Sequence, residues 1–289
     1  MKNNSLNYNK IGVIGAGVIG SSVAHLFAQA GLHVVLIDQN EEILKNSRNS
    51  IEKNARLYDV VKTSGVTPDE VLSHIHCNIS LDSLSDVEFV IENITEDWEV
   101  KKVCHEKISQ IIPVDAPVAV NTSAIPITRI SSIHSNPERV VGMHFMNPVP
   151  VMPVVELIRG VHSSDAALDE AKKLVKQAGK HSILINDSPG FVTNRVMMQM
   201  VNEAMFLVHE GVATPLDVDR LFKTCFGHKM GPLATADMIG LDTVLKSIEV
   251  IQKEFNDSKY RPCPLLMQKV YAGHLGRKSG QGFFTYDSL

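Results

Sequence analysis

The sequence predicts an α/β chain: a doubly wound sheet in the N-terminal part, followed by an all-helical C-terminal domain. Three observations carry this. Short apolar, β-branched runs alternate with helix-period stretches over the first two thirds of the chain. A glycine-rich turn, Gly15-Ala16-Gly17-Val18-Ile19-Gly20, joins the first such run to the first helix. Beyond Asn186-Asp187-Ser188-Pro189-Gly190 the strand signals almost vanish while helical periodicity continues, which places a domain boundary near Asp187.

In order, residues 10–14 read as a buried strand, 21–30 as a helix ended by Gly31, and 33–37 as a second strand with Asp38 at its end. A long polar helix is expected over 41–63, strands over 87–91 and 118–121, and a helix between them over 98–112. A short helix over 125–134, strands over 140–144 and 154–158, a helix over 165–178 and a last short strand over 182–185 complete the first part. The second part offers helices over 191–210, 217–226 and 241–255; Val192, Val196, Met200, Ala204 and Leu207 form the apolar stripe of the first.

Bulk properties narrow the function classes. With 289 residues there is material for one large domain or two ordinary ones. Hydrophobic content of 44% and charged content of 21% fit a globular soluble protein. A net charge of −4 gives no expectation of nucleic-acid binding. No apolar run is long enough for a membrane span, and the polar, Asn-rich start has no export-signal core. Four scattered cysteines without Cys-x-x-Cys spacing point away from a metal site and toward a reduced, cytoplasmic location.

The strand–turn–helix–strand unit is the setting that a dinucleotide fingerprint requires. Gly15 allows the tight turn, Gly17 lets backbone approach a pyrophosphate, and Gly20 lets the helix pack close to the sheet. The intervening Ala16, Val18 and Ile19 contribute backbone N–H groups at the helix start, where the dipole is positive. Asp38, 18 residues past Gly20, can accept from a ribose 2′-hydroxyl and would repel a 2′-phosphate, so NAD is expected rather than NADP.

A second constellation lies in Gly142-Met143-His144-Phe145-Met146-Asn147-Pro148, with Glu156 12 residues after His144. Oxidising an alcohol requires a proton acceptor, and a neutral histidine suits that task. A carboxylate on its other ring nitrogen would fix the tautomer and stabilise the imidazolium. On residues alone His144 is equally a histidine that holds the Asn-Pro turn, Ser123 a strand-end cap, and Asn194 a helix-surface residue. A metal site on His144 and Glu156 lacks a third ligand at suitable spacing.

From Gly12 to Tyr286 the chain resembles L-3-hydroxyacyl-CoA dehydrogenases, especially the bacterial 3-hydroxybutyryl-CoA type. The shared motifs are the glycine turn, Asn121-Thr122-Ser123, the His144 segment, Val155-Glu156, Pro189-Gly190-Phe191-Val192-Thr193-Asn194-Arg195, Met230-Gly231-Pro232, Gly240-Leu241-Asp242 and Gly276-Arg277-Lys278-Ser279-Gly280. The resemblance implies that His144 is the general base, Glu156 its partner, Ser123 a hydrogen-bond donor to the reacting oxygen, and Asn194 a holder of the acyl group. It also implies that Glu96, Lys101, Ser123, Asn147 and Lys278 line an NAD site. Residues 1–187 would be a Rossmann-like NAD-binding domain and 188–289 a helical dimerisation and substrate domain, with a homodimer expected and the substrate held between the domains. All four catalytic-type residues are present, which argues against an NAD-binding relative without catalysis.

Several positions depart from the family pattern. Val61 stands where a CoA-directed lysine is common, with Lys62 beside it, and Pro153 replaces a lysine before Val-Glu. Ser123 is followed by Ala124, and Met146 stands where a second Phe is usual. Ile91-Glu92-Asn93-Ile94-Thr95-Glu96 is more polar than the usual Glu-Ala-x-Val-Glu. These differences resemble a branch acting on short acyl groups, such as glyceryl, borne by an acyl carrier protein for polyketide extender units. The expectation is therefore an acyl-CoA substrate, with the carrier protein as the alternative handle.

Overall fold

A computed structural model describes residues 7–62 and 65–286, with side chains given outside 58–64. The first residues of the polar N-terminal stretch, and the side chains of Val61 and Lys62, lie outside what is described. The chain divides into two compact units, Met1–Asp187 and Ser188–Leu289.

The first unit is an eight-stranded sheet in the order β3-β2-β1-β4-β5-β6-β7-β8. Its strands are β1 Lys10–Ile14, β2 His33–Ile37, β3 Ile75–Asn78, β4 Phe89–Glu92, β5 Val118–Val120, β6 Val140–Phe145, β7 Val154–Arg159 and β8 His181–Asn186. All pairs are parallel except β6–β7, which is antiparallel. Helices α1 Val18–Gln29, α2 Glu41–Lys62, α3 Pro68–Ser73, α4 Trp98–Ile111, α5 Ile127–Ser131 and α6 Asp165–Gln177 supply the connections. This is the mostly parallel, doubly wound arrangement expected. The central strands are buried along almost their whole length, as apolar β-branched runs covered on both faces must be. The core joins Ile11, Val13, Phe27, Leu36, Phe89, Ile91, Val141, Leu157 and Leu174.

Three differences from the sequence reading have physical causes. Helix α1 starts at Val18 rather than Ser21, because Gly17 is already its N-cap. Helix α3, absent from the reading, begins with a full capping box: Thr67 Oγ1 accepts from Glu70 N–H at 3.2 Å, and Glu70 accepts from Thr67 N–H at 2.7 Å. Strand β3 was also unread; it is a short edge strand with three of its four residues exposed, so it carries little apolar pattern.

Register brings the functional positions to one edge. Ile14 pairs with Ile37 and with Glu92, Glu92 with Val120, and Val120 with Gly142. Gly15, Asp38, Asn93 and Asn121 therefore all follow strand ends at the same carboxyl edge, where open α/β sheets bind ligands. The order in which strands are added reverses at β1: β2 and β3 lie on one side of it and β4 and β5 on the other, all parallel, and this is the switch point at which a crevice opens.

The second unit is helical: α7 Thr193–His209, α8 Pro215–Phe226, α9 Pro232–Ile239, α10 Leu241–Phe255 and α11 Pro264–Tyr271. Helices α9 and α11 add to the sequence reading, each with Pro at its first turn. Buried carboxylates organise this unit. Asp219 accepts from Leu233 and Ala234 N–H at 2.8 and 2.9 Å and so caps α9. Asp237 accepts from Phe283 and Phe284 N–H and from the Tyr286 hydroxyl, which fixes the closing turn.

Candidate active site

The glycine turn is built for a phosphate. Gly15 has φ +92 and a Cβ there would press on the Asn93 carbonyl; a Cβ at Gly20 would overlap the Gly15 carbonyl. A Cβ at Gly17 would meet nothing within 4 Å, so the backbone there is open to a ligand. Gly17 caps α1 without a side-chain hydrogen bond, and no acidic residue sits in the first turn. The helix N–H groups are thus open to an anion, with no acidic residue of α1's own first turn competing for them. A cavity of about 970 Å³ opens beside the turn, lined by Gly15, Gly17, Val18, Asp38, Asn93 and Thr95 among others. Asp38 Oδ2 accepts from Ala16 N–H at 2.8 Å, which draws its carboxylate to the turn and leaves Oδ1 for a diol. These features fit a dinucleotide.

On the neighbouring strands, β6 and β7 place His144 directly opposite Glu156. Antiparallel partners share a face, so the spacing of 12 residues becomes a contact: His144 Nδ1 to Glu156 Oε2 is 2.7 Å. Both are nearly buried, with side-chain exposures of 10% and 7%. His144 Nε2 lies 3.3 Å from Ser123 Oγ. With Nδ1–H donating to the carboxylate, Nε2 is the acceptor that faces the serine.

Ser123 is held by a residue whose role the sequence left to the cofactor. Glu96 Oε1 accepts from the Thr122 hydroxyl at 2.6 Å and from the N–H groups of Ser123, Ala124 and Ile125 at 3.1, 2.9 and 3.3 Å. It caps the turn that presents the serine. Lys101 departs from its expected place on the cofactor surface. It is fully buried, and its ammonium donates to Glu92 Oε1 and Oε2 at 2.7 and 2.9 Å. Glu92 also accepts from Ile94 N–H at 2.6 Å and from His105 Nε2 at 3.0 Å. Burial alone would raise the Glu92 carboxyl, but Lys101 and His105 outweigh it and hold it below its usual range. Asn147 is exposed at the cis Asn147–Pro148 turn. Asn194 and Lys278 belong to the helical unit: Asn194 lies in the first turn of α7, and Lys278 pairs with Asp242 at 2.6 Å.

Glu92, Asn93, His105 and Asn121 were not singled out as site residues. Asn121 stands in the Asn121-Thr122-Ser123 motif, and Glu92 and Asn93 in the polar stretch, Asn93 where Ala is usual; His105 leaves no trace in the sequence.

Nucleotide-binding sheet and histidine–carboxylate pair together define a class, the dinucleotide-dependent oxidoreductases. The comparisons narrow it. The family model described as the NAD binding domain of 3-hydroxyacyl-CoA dehydrogenase matches residues 10–188, and its C-terminal domain matches residues 190–286. A probable 3-hydroxybutyryl-CoA dehydrogenase of Deinococcus radiodurans is 44% identical over 278 residues, covering 96% of this chain and 100% of that protein. The 3-hydroxybutyryl-CoA dehydrogenase of Bradyrhizobium diazoefficiens is 43% identical, covering 96% and 95%. The crystal structure of (S)-3-hydroxybutyryl-CoA dehydrogenase from Ralstonia eutropha aligns with a TM-score of 0.90 at 39% identity, covering 98% of this chain and 100% of that one. The chain belongs to the 3-hydroxyacyl-CoA dehydrogenase family, and its first unit is that family's NAD-binding domain.

Proposed function

We propose that this chain interconverts an L-3-hydroxyacyl thioester and the 3-oxoacyl thioester, using NAD(H) and a substrate of the 3-hydroxybutyryl-CoA type. The observation that carries the reading is the chain Glu156–His144–Ser123, with 2.7 Å on one ring nitrogen and 3.3 Å on the other. Glu156 holds the proton on Nδ1, so Nε2 is free of a proton and can take one from a 3-hydroxyl. Ser123 Oγ supplies a hydrogen bond at the same oxygen while charge develops on it. The imidazolium formed is stabilised by the Glu156 carboxylate. When bound, NAD supplies the two-electron acceptor for the hydride leaving C3. In reduction His144 returns the proton to the oxygen.

Gly15, Ala16, Gly17, Val18, Ile19, Gly20, Asp38, Asn147 and Lys278 are the proposed cofactor contacts; Asn194 is the proposed acyl contact. Glu96 and Lys101 act beneath them through the loop they anchor. Asp38 favours NAD over NADP, since a 2′-phosphate would meet a carboxylate. The helical unit is proposed to form the homodimer interface, supported by exposed Val196, Leu216, Leu221 and Phe226. Four free cysteines fit a reducing, cytoplasmic setting.

The test is NADH consumption with acetoacetyl-CoA, where turnover of about 10 per second or more is the expected result for a true substrate. A second reading, a short hydroxyacyl group on an acyl carrier protein, is favoured by exposed Pro153 where a lysine is usual. It predicts a rate on acetoacetyl-CoA far below that on the carrier-bound thioester.

A further inference from the structure

Asn93 sits where the family usually has Ala, and nothing in the chemistry above uses its side chain. Its surroundings are specific. The Asn93 N–H donates to the Ile14 carbonyl at 2.7 Å, its carbonyl lies against Gly15, and its Cβ lies against Gly20. It thus touches both ends of the dinucleotide turn and lines the cavity beside it. Its amide has one consistent orientation. Nδ2 donates to the Ile91 carbonyl at 3.1 Å, so Oδ1 faces Asn121, whose Nδ2 donates to it at 2.9 Å. Asn121 Oδ1 in turn accepts from Phe145 N–H at 3.2 Å, one residue past His144.

We propose that Asn93 is a positioning residue that ties the dinucleotide turn to the strand end carrying His144, through Asn121 and the Phe145 amide. The proposal rests on His144 being the base. Two half-buried amides form a rung across β4, β5 and β6, so displacement of the turn is passed to the backbone beside the imidazole. Without the Asn93 amide, Asn121 Nδ2 would lose this partner and the rung would be broken.

The experiment uses the full-length protein and three variants: Asn93→Ala, Asn121→Ala and the double variant. Turnover and KM with acetoacetyl-CoA, NADH affinity, and the ¹⁵N–¹H resonance of the Phe145 amide are read together. Asn93→Ala should lower kcat about fivefold, the worth of one net hydrogen bond, with KM and NADH affinity within about twofold. The Phe145 amide resonance should move. The double variant should be no slower than Asn121→Ala, because both act through one rung. Asn93→Asp keeps the acceptor toward Asn121 but sets a carboxylate against the Ile91 carbonyl and beside the glycine turn, so the Phe145 amide resonance should stay near the parent position while NADH affinity falls. A lowered melting temperature with kcat and the Phe145 amide unchanged would reduce Asn93 to a stability contact and overturn the proposal. So would losses in the double variant that simply multiply. Should Asn93→Ala fail to fold, Asn121→Ala removes the same bond from its other end, and Asn93→Asp, which keeps it, is the control. Full turnover in His144→Gln would instead sink the base assignment, whatever the amide resonance does.

Discussion

Two buried histidine–carboxylate pairs lie in the first unit, one between β6 and β7 and one between α4 and β4, and only the first is proposed to do chemistry. His144 and Glu156 meet at 2.7 Å, and His105 and Glu92 at 3.0 Å. The difference lies in what occupies the second ring nitrogen and the second carboxylate oxygen. Around Glu92 every position is taken: Lys101 pairs with it, and His105 Nδ1 lies 2.8 Å from His134 Nε2. The side chains of Lys101, His105 and Glu92 are all 0% exposed. His144 keeps Nε2 toward a serine and a small opening to solvent. The proposed reaction runs through the first pair; the second is enclosed by its partners. Burial beside a carboxylate is therefore not by itself a signature of catalysis.

The largest effect expected is on the open pair. His144→Gln should lower kcat about a thousandfold while NADH binding and melting temperature stay near the parent. Turnover within tenfold of the parent would erase the distinction drawn here. For the closed pair the loss should fall on stability instead. Lys101→Met leaves Glu92 buried without its cation, which should cost about 3–5 kcal/mol in urea unfolding. If activity collapses in a variant whose unfolding curve is unchanged, Lys101 belongs to the chemistry after all. Asp38→Ala should come next, with the preference for NAD over NADP reduced about tenfold, roughly one charge-assisted hydrogen bond; an unchanged ratio of kcat/KM values would remove the ribose contact.

The smallest effect is a slope against pH. Burial, with His105 and Arg139 nearby, pushes His134 down to about 3, and burial pushes His25 to about 4. Below their ordinary value of 6.5 the unfolded chain takes protons that the folded chain refuses. Stability should be full above that pH and fall as pH drops toward the folded values. Glu92, held below its ordinary 4.5, adds to the fall in the most acid range. Thermal melts of His134→Leu should show a shallower decline between about pH 6 and pH 4. An equally steep decline would assign the acid sensitivity elsewhere.

The two pairs also differ in how far they were legible. The glycine turn and Asp38 could be read because their roles are local: positive φ, a helix start and a strand end lie within one β-α-β unit. The His144–Glu156 contact was readable as two strand ends but not as a contact, since only the antiparallel register makes them neighbours. Lys101 could not be placed from its pattern. On α4 it resembles any surface lysine, and only the fold shows that its stem runs inward to Glu92. Glu96 was hidden for a similar reason, its four partners lying 26–29 residues away on another turn. Helix α3 was legible and passed over, because Thr67-Pro68-Asp69-Glu70 spells its own start.

The antiparallel pairing of β6 with β7 separates two things that a site must keep apart. Facing positions in a ladder are indifferent to what joins the strands beyond it. The eight residues from 146 to 153 between these strands can be lengthened, shortened or recoloured without moving imidazole from carboxylate. A one-residue insertion inside either strand would turn one of the pair to the opposite face. Tolerance and intolerance to change thus abut within a few residues. The loop can vary while the His144–Glu156 distance is inherited intact.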